Sequence, residues 1–288
     1  MIHFPRPRSQ RTIGRPVAVE GVGYWSGRGN RVVLEPAPAG AGVVFVRSDL
    51  GAAGRIPATA DHRDSAAGRT NLVAGAARVE MVEHVLSALA GLAIDCCVIR
   101  VHEEELPGLD GSALAFVEAI ESAGTVELGA PIDPLVVSET VRVGGDDAWI
   151  EASAPEFAGL SVDYELDYGP GPIGRQTWRG RLDPEAYREG LAAARTFLPA
   201  ADAERLRAQG RGLAATTGDL LVFGPDGPIG NPLRWPDECV RHKVLDLVGD
   251  LALAGRPIHA HVRAFRTGHR HNGELAARLA AAATAGAA

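Results

Sequence analysis

Two apolar stretches far apart in the chain carry a histidine in the same place. VEHVLSALAGLA (82–93) and VRHKVLDLVGDLA (240–252) both begin Val-x-His, and each has a glycine seven residues after that histidine. The apolar spacing of both is that of a buried helix rather than a surface one. A buried helix needs partners on several sides. A repeat of this kind therefore predicts two similar halves, each presenting one histidine from its buried helix.

The residues around these helices predict α+β halves. The first opens with strand-like runs, RPVAVEGVG, NRVVLEPAP and GVVFVRSDL, separated by Gly and Pro turns. VEMVEHVLSALAGLA reads as the buried helix, CCVIRV as a strand, and LDGSALAFVEAIESAG as a second helix. Asp110 or Ser112 can accept from the first free N–H groups of that helix, and Gly124 closes it. TVELGAPIDP (125–134) has two prolines and no apolar period, so it reads as a linker. The division expected is 1–126 and 127–288. The second half repeats the plan with LVVSETVRVGG, AWIEASA and LSVDYELDY as strands. A helix follows with Asp183 as cap and Pro184 at its first position. AERLRAQG reads as a short helix, DLLVFG as a strand, 237–254 as the long helix, PIHAHVRAF as a last strand, and an Ala-rich helix ends the chain, fraying at TAGAA.

Composition excludes several classes. A formal charge of −7 argues against general nucleic-acid binding, although a local basic pocket is compatible with it. The three cysteines, Cys96, Cys97 and Cys239, are odd in number and two are adjacent, which predicts no disulfide framework and a reducing compartment. MIHFPRPRSQ lacks the apolar run of a signal peptide, and no stretch approaches the ~20 apolar residues of a membrane span. The expected location is cytoplasmic.

His242 and Asp246 lie four residues apart, about 40° apart around a helix axis. They fall opposite the stripe Val240, Val244, Leu247, Val248 and Leu251, among Cys239, Gly249 and Leu253, so that side is covered as well. A covered carboxylate needs a partner. A divalent metal such as zinc would supply one, with His84 from the matching helix as third ligand and Glu83 beside it as a base. A simple hydrogen-bonded His–Asp pair and a solvated helix-start Glu83 fit the same spacing. Spacing alone leaves both open.

The set GVGYWSG, VEHVLSALAGLAID, ELPGLDGSALAFVE, IGRQ, ARTF, DECVRHKVLDLVGDLALAGRP and TGHRHN resembles the UDP-3-O-acyl-N-acetylglucosamine deacetylases, zinc amidases of lipid A synthesis, in family order over nearly the whole chain. The resemblance implies two layered sheet-and-helix domains, helices sandwiched between the sheets and a zinc site in the cleft. It implies His84, His242 and Asp246 as zinc ligands and Glu83 as general base. His269 would be the charged partner near the oxyanion and leaving amine, with Asp250 orienting it. Thr196 would bond the oxyanion, Lys243 would help hold the nucleotide phosphates, and Phe197 would contact substrate. The implied partner is a nucleotide-sugar with an acyl chain, bound by a monomer.

Some positions depart from the family pattern. Trp25 stands where histidine is usual, Leu198 and Pro199 follow ARTF where glycine is usual, GLAATTGDL replaces a Gly-Gly-Ser-type turn, and TNLV lacks the usual cysteine. The expected metal, base and acid are untouched, whereas the changes fall in substrate contacts and the acyl passage. Two alternatives follow: a related zinc deacetylase of another N-acyl amino sugar, marked by a blocked apolar tunnel at 198–219, and a non-catalytic scaffold with the same fold.

Overall fold

The computed structural model describes residues 8–66 and 68–285. It contains two principal sheets with the same plan. The first has, in spatial order, Val17–Val22, Gly29–Pro36, Cys97–Val101, Val43–Arg47 and Arg55–Pro57. The second has Val141–Gly144, Trp149–Ser153, Ile258–Phe265, Leu160–Asp167 and Arg175–Leu182, with Leu135–Val136 also pairing to Ile258–Phe265. In each, the strand that comes last in sequence within the sheet takes the centre. It is antiparallel to one neighbour and parallel to the other, and hairpins finish both edges.

Six α-helices accompany the sheets among the described residues: α1 Glu83–Gly91, α2 Leu114–Ala123, α3 Pro184–Gly190, α4 Ala200–Ala208, α5 Glu238–Leu251 and α6 His269–Ala285. One helix precedes each central strand (α1 and α5) and one follows it (α2 and α6). The topology thus makes α1 and α5 equivalent, as their matching sequences predict. They pack on each other, α2 lies on the first sheet, and α5 and α6 lie on the second. Every residue of α1 from Glu83 to Leu89 is buried, and α5 has twelve buried residues around its whole circumference. This burial on all sides is what their near-continuous apolar character required.

Each half also inserts a small three-stranded sheet before its core helix. In the first half it is Arg63–Ala66, Arg69–Ala74 and Ala77–Glu80; in the second it is Phe197–Pro199, Leu221–Gly224 and Gly227–Pro228. Both inserts reach the site described below.

The local signals mostly hold. Asp183 accepts from the Ala186 N–H at 2.9 Å with Pro184 opening α3, and Gly124 ends α2 at φ 73°. Ser112 Oγ accepts from the Leu114 N–H at 3.2 Å, while Asp110 holds the Ser112 hydroxyl. Two expectations are corrected. The supposed linker contains a strand, Thr125–Pro131, antiparallel to Ser9–Ile13. It is exposed or half-buried along its length, so it has no apolar period to show. The helix expected from Val79 starts at Glu83. Val79 and Glu80 belong to a strand, and Met81, at φ 61°, makes the corner. Most of the expected fraying at TAGAA, residues 286–288, lies outside the described residues.

Candidate active site

The helices α1 and α5 run antiparallel: Ser87 Oγ donates to the Leu245 carbonyl at 2.8 Å near the middle of the contact. At one end Gly249 lies against the backbone of Glu83, where a Cβ would come within 2.1 Å of the Glu83 carbonyl oxygen. The bare glycine lets the start of α1 meet the end of α5. His84 and His242 consequently face each other, ring centroids 5.3 Å apart and edge to face.

Asp246 completes a triangle. Its Oδ1 is 3.3 Å from His242 Nε2 and 3.8 Å from His84 Nε2, and one ligand atom from each of the three residues lies within 4.8 Å of the others. All three side chains are buried. His242 Nδ1 lies 3.0 Å from the Ala194 carbonyl, which accepts the proton there and leaves Nε2 with a free lone pair. Burial pushes His84 down to about 3, helped by His242, and pushes His242 down as well. Two neutral imidazoles and a carboxylate, converging from both halves, are a donor set that fits a divalent metal ion.

Asp246 remains charged. Burial raises its pKa, but His242 and Lys243 outweigh that and hold it well below the usual carboxylate range. Lys243 Nζ sits 2.7 Å from Asp246 Oδ2, leaving Oδ1 toward the histidines. The ammonium therefore supports the Asp246 carboxylate as well as lining the cavity.

Glu83, the first residue of α1, is 3 % exposed, so it is no solvated helix-start carboxylate. Burial pushes it up to about 7, with His269 opposing. Its Oε2 accepts from the Thr70 N–H at 2.9 Å. His269 Nδ1 lies 3.0 Å from Asp250 Oδ2, and its Nε2 is 3.9 Å from Asp246. Burial would lower His269, but Asp250 first and then Asp246 raise it to about 9, so the ring is cationic at neutral pH. One cavity thus holds a base poised near neutrality and a cation beside it.

That cavity, about 1080 Å³, is lined by Glu83, His84, Thr196, Phe197, His242, Lys243, Asp246 and His269, together with Trp25, Tyr168 and Arg266 among others. Phe197 stacks edge-on between Tyr168 and His242. Thr196 enters from the loop before the second insert, its N–H donating to the Gly111 carbonyl. Of the nine residues singled out in the sequence, eight line the cavity. Asp250, fully buried, stands behind His269.

The chain matches the UDP-3-O-acyl N-acetylglycosamine deacetylase family over residues 10–281. The chain belongs to this family. Proteins named UDP-3-O-acyl-N-acetylglucosamine deacetylase from Brucella ovis, Brucella canis and Brucella suis are each 39 % identical to it over 278 residues, 96 % of this chain and 96 % of theirs. No helix among the described residues of this family member is long and apolar enough to cross a membrane.

Sequence reasoning missed three contributors to the site: Thr70, Asn272 and the Ala194 carbonyl. Thr70 Oγ1 donates to Asp250 Oδ1 at 2.5 Å, and Asn272 Nδ2 donates to Asp250 Oδ2 at 2.9 Å. Asn272 follows His269 within TGHRHN and Ala194 opens ARTF, so the motifs contained them. Their partners are distant in sequence, and no local pattern pointed to them.

Proposed function

We propose that the chain hydrolyses the acetamide of UDP-3-O-acyl-N-acetylglucosamine to the free amine and acetate, a step of lipid A biosynthesis, with zinc held by His84, His242 and Asp246. The observation carrying this reading is the meeting of that donor set with Glu83 and His269 in one large cavity. Zinc at these ligands would polarise the acetyl carbonyl and acidify a water molecule. Glu83, with its raised pKa, would take the proton of the attacking water. Cationic His269, oriented by Asp250, and the Thr196 hydroxyl would stabilise the negative charge developing on the carbonyl oxygen. His269 would then protonate the departing amine. Lys243, Arg266 and Arg270 give the cavity cationic groups suited to a diphosphate despite the acidic chain.

The division of labour places His84 and Glu83 in 1–126 and the remaining groups in 127–288. The donor triangle, Glu83 and His269 are complete within one chain, so this reading needs no second subunit. Three free, buried cysteines support a reducing, cytoplasmic setting.

One observation favours a second reading, a related deacetylase acting on a different N-acyl amino sugar. No residue from 198 to 219 lines the cavity, α4 has no buried side chain, and Trp25, flanked by Arg69 and Arg211, forms part of the wall. The test is acetate release by zinc-loaded protein from UDP-3-O-(3-hydroxyacyl)-N-acetylglucosamine of several chain lengths, beside Glu83→Ala. Turnover of long-chain substrate that collapses in the variant supports the first reading. Turnover confined to short-chain or unacylated sugar supports the second. Zinc binding without hydrolysis of any of them would leave a non-catalytic binding protein.

A further inference from the structure

Behind the cavity wall the proposed base and acid are not independent. Glu83 and Asp250 stand on different helices from different halves, and both are buried. Among the described residues, one hydrogen-bonds to both. Thr70, on the middle strand of the first insert and fully buried, donates its backbone N–H to Glu83 Oε2 at 2.9 Å and its hydroxyl to Asp250 Oδ1 at 2.5 Å. Asp250 Oδ2 in turn meets His269 Nδ1 at 3.0 Å and Asn272 Nδ2 at 2.9 Å. Asn272 Oδ1 accepts from Thr267 Oγ1, and the Thr267 carbonyl accepts from the Tyr164 hydroxyl. A continuous buried network therefore runs from Glu83 to Tyr164, and Thr70 is its link between the two halves.

The structure assigns to Thr70 the role of a positioning residue that holds Glu83 and His269 in one frame. The assignment rests on the roles proposed above for those two groups. The backbone donor fixes where the Glu83 carboxylate points. The hydroxyl occupies Asp250 Oδ1, so Oδ2 remains directed at His269. A carboxylate with one oxygen satisfied by threonine and the other by asparagine has little freedom to rotate, and neither does the imidazole bonded to it. β-Branching restricts the threonine χ1 and keeps its hydroxyl on target. Without the hydroxyl, Asp250 Oδ1 is left buried and unpaired, and the carboxylate turns to recover a donor. His269 turns with it, while His84, His242 and Asp246 keep their places.

The test uses the full-length, zinc-loaded protein and begins with wild-type turnover. Thr70→Val keeps the shape and the backbone N–H but removes the hydroxyl. The expected result is a kcat lowered about 10- to 100-fold, in line with the loss of an orienting partner at a metal centre. KM and zinc affinity stay unchanged, and Thr70→Ser recovers most of kcat. The imidazole N–H proton of His269, followed by NMR, moves in Thr70→Val and returns toward its place in Thr70→Ser. Wild-type kcat in Thr70→Val overturns the assignment. So does a loss of kcat and zinc affinity together that serine does not restore. Should Thr70→Val fail to fold, Thr70→Ala removes the same hydroxyl with less bulk, and an unmoved His269 proton in that variant overturns the assignment. Absence of wild-type turnover would count against the proposed substrate alone, and the NMR comparison would then decide the role of Thr70.

Discussion

The α-carbon of Gly249 faces the backbone of Glu83 so closely that a methyl group on it would lie 2.1 Å from the Glu83 carbonyl oxygen. Alanine is ordinarily the better helix residue by about 1 kcal/mol. Here the obstacle is backbone rather than a flexible side-chain tip, so the clash outweighs the propensity gain. Gly249→Ala is expected to destabilise the fold by about 1–3 kcal/mol. It should also weaken metal binding by spreading α1 from α5. Urea unfolding and metal titration check this, and a variant as stable and as metal-avid as wild type would refute it.

With the roles proposed for Glu83 and His269, the pH profile of activity should be bell-shaped. Glu83, raised to about 7 chiefly by burial, works as a base only when deprotonated, so kcat/KM rises with pH through about 7. His269, raised to about 9 against burial by Asp250 and then Asp246, is cationic only below that value, so activity falls as pH passes it. Asp250→Asn removes the largest contribution raising His269, and the basic limb should move to lower pH. A limb that stays in place in that variant would exclude His269 as the acid.

Removing the metal should abolish activity and lower Tm, and restoring zinc should reverse both. A ligand present at about 1,000 times its Kd stabilises the folded state by about 4 kcal/mol. His84→Ala and His242→Ala should each lose bound metal, measured by elemental analysis. Full metal content in either variant would exclude that histidine as a ligand.

Arg195 and Glu238 form a buried pair at 2.8 Å, 6 % and 0 % exposed, joining the segment just before the strand Phe197–Pro199 to the start of α5. Breaking a buried pair by removing one charge typically costs about 3–5 kcal/mol. Glu238→Gln should show a loss of that order in urea unfolding. A loss below about 1 kcal/mol would mean that water or another group takes the place of the missing charge.

The helices that build the site were readable because their apolar spacing is a local property. His84, His242 and Asp246 could be grouped because two of them share a helix and the third occupies the matching position of a repeat. The burial of Glu83 could not be read, since it depends on α5 packing across the chain. Arg175–Leu182 escaped notice because it is an edge strand alternating exposed and half-buried residues, paired through Arg175–Glu165 and Arg179–Asp163. Thr70 was invisible for the same reason: its partners lie 13 and 180 residues away. The glycine repeat was visible, but its purpose was not. Gly249 admits a helix backbone, while Gly91 admits the ring of Tyr187.

The shared strand order of the two halves has one last consequence. In the matching helices, Ala88 occupies the position equivalent to Asp246, Arg241 that of Glu83, and Leu92 that of Asp250. The scaffold is twofold, but the chemistry is one-sided. The second half on its own offers two of the three candidate donors, the first only one, so neither can form the donor triangle unaided. A metal ion there would work as a clasp, and the tightness with which it is held would report directly on how well the two copies of one architectural plan are docked.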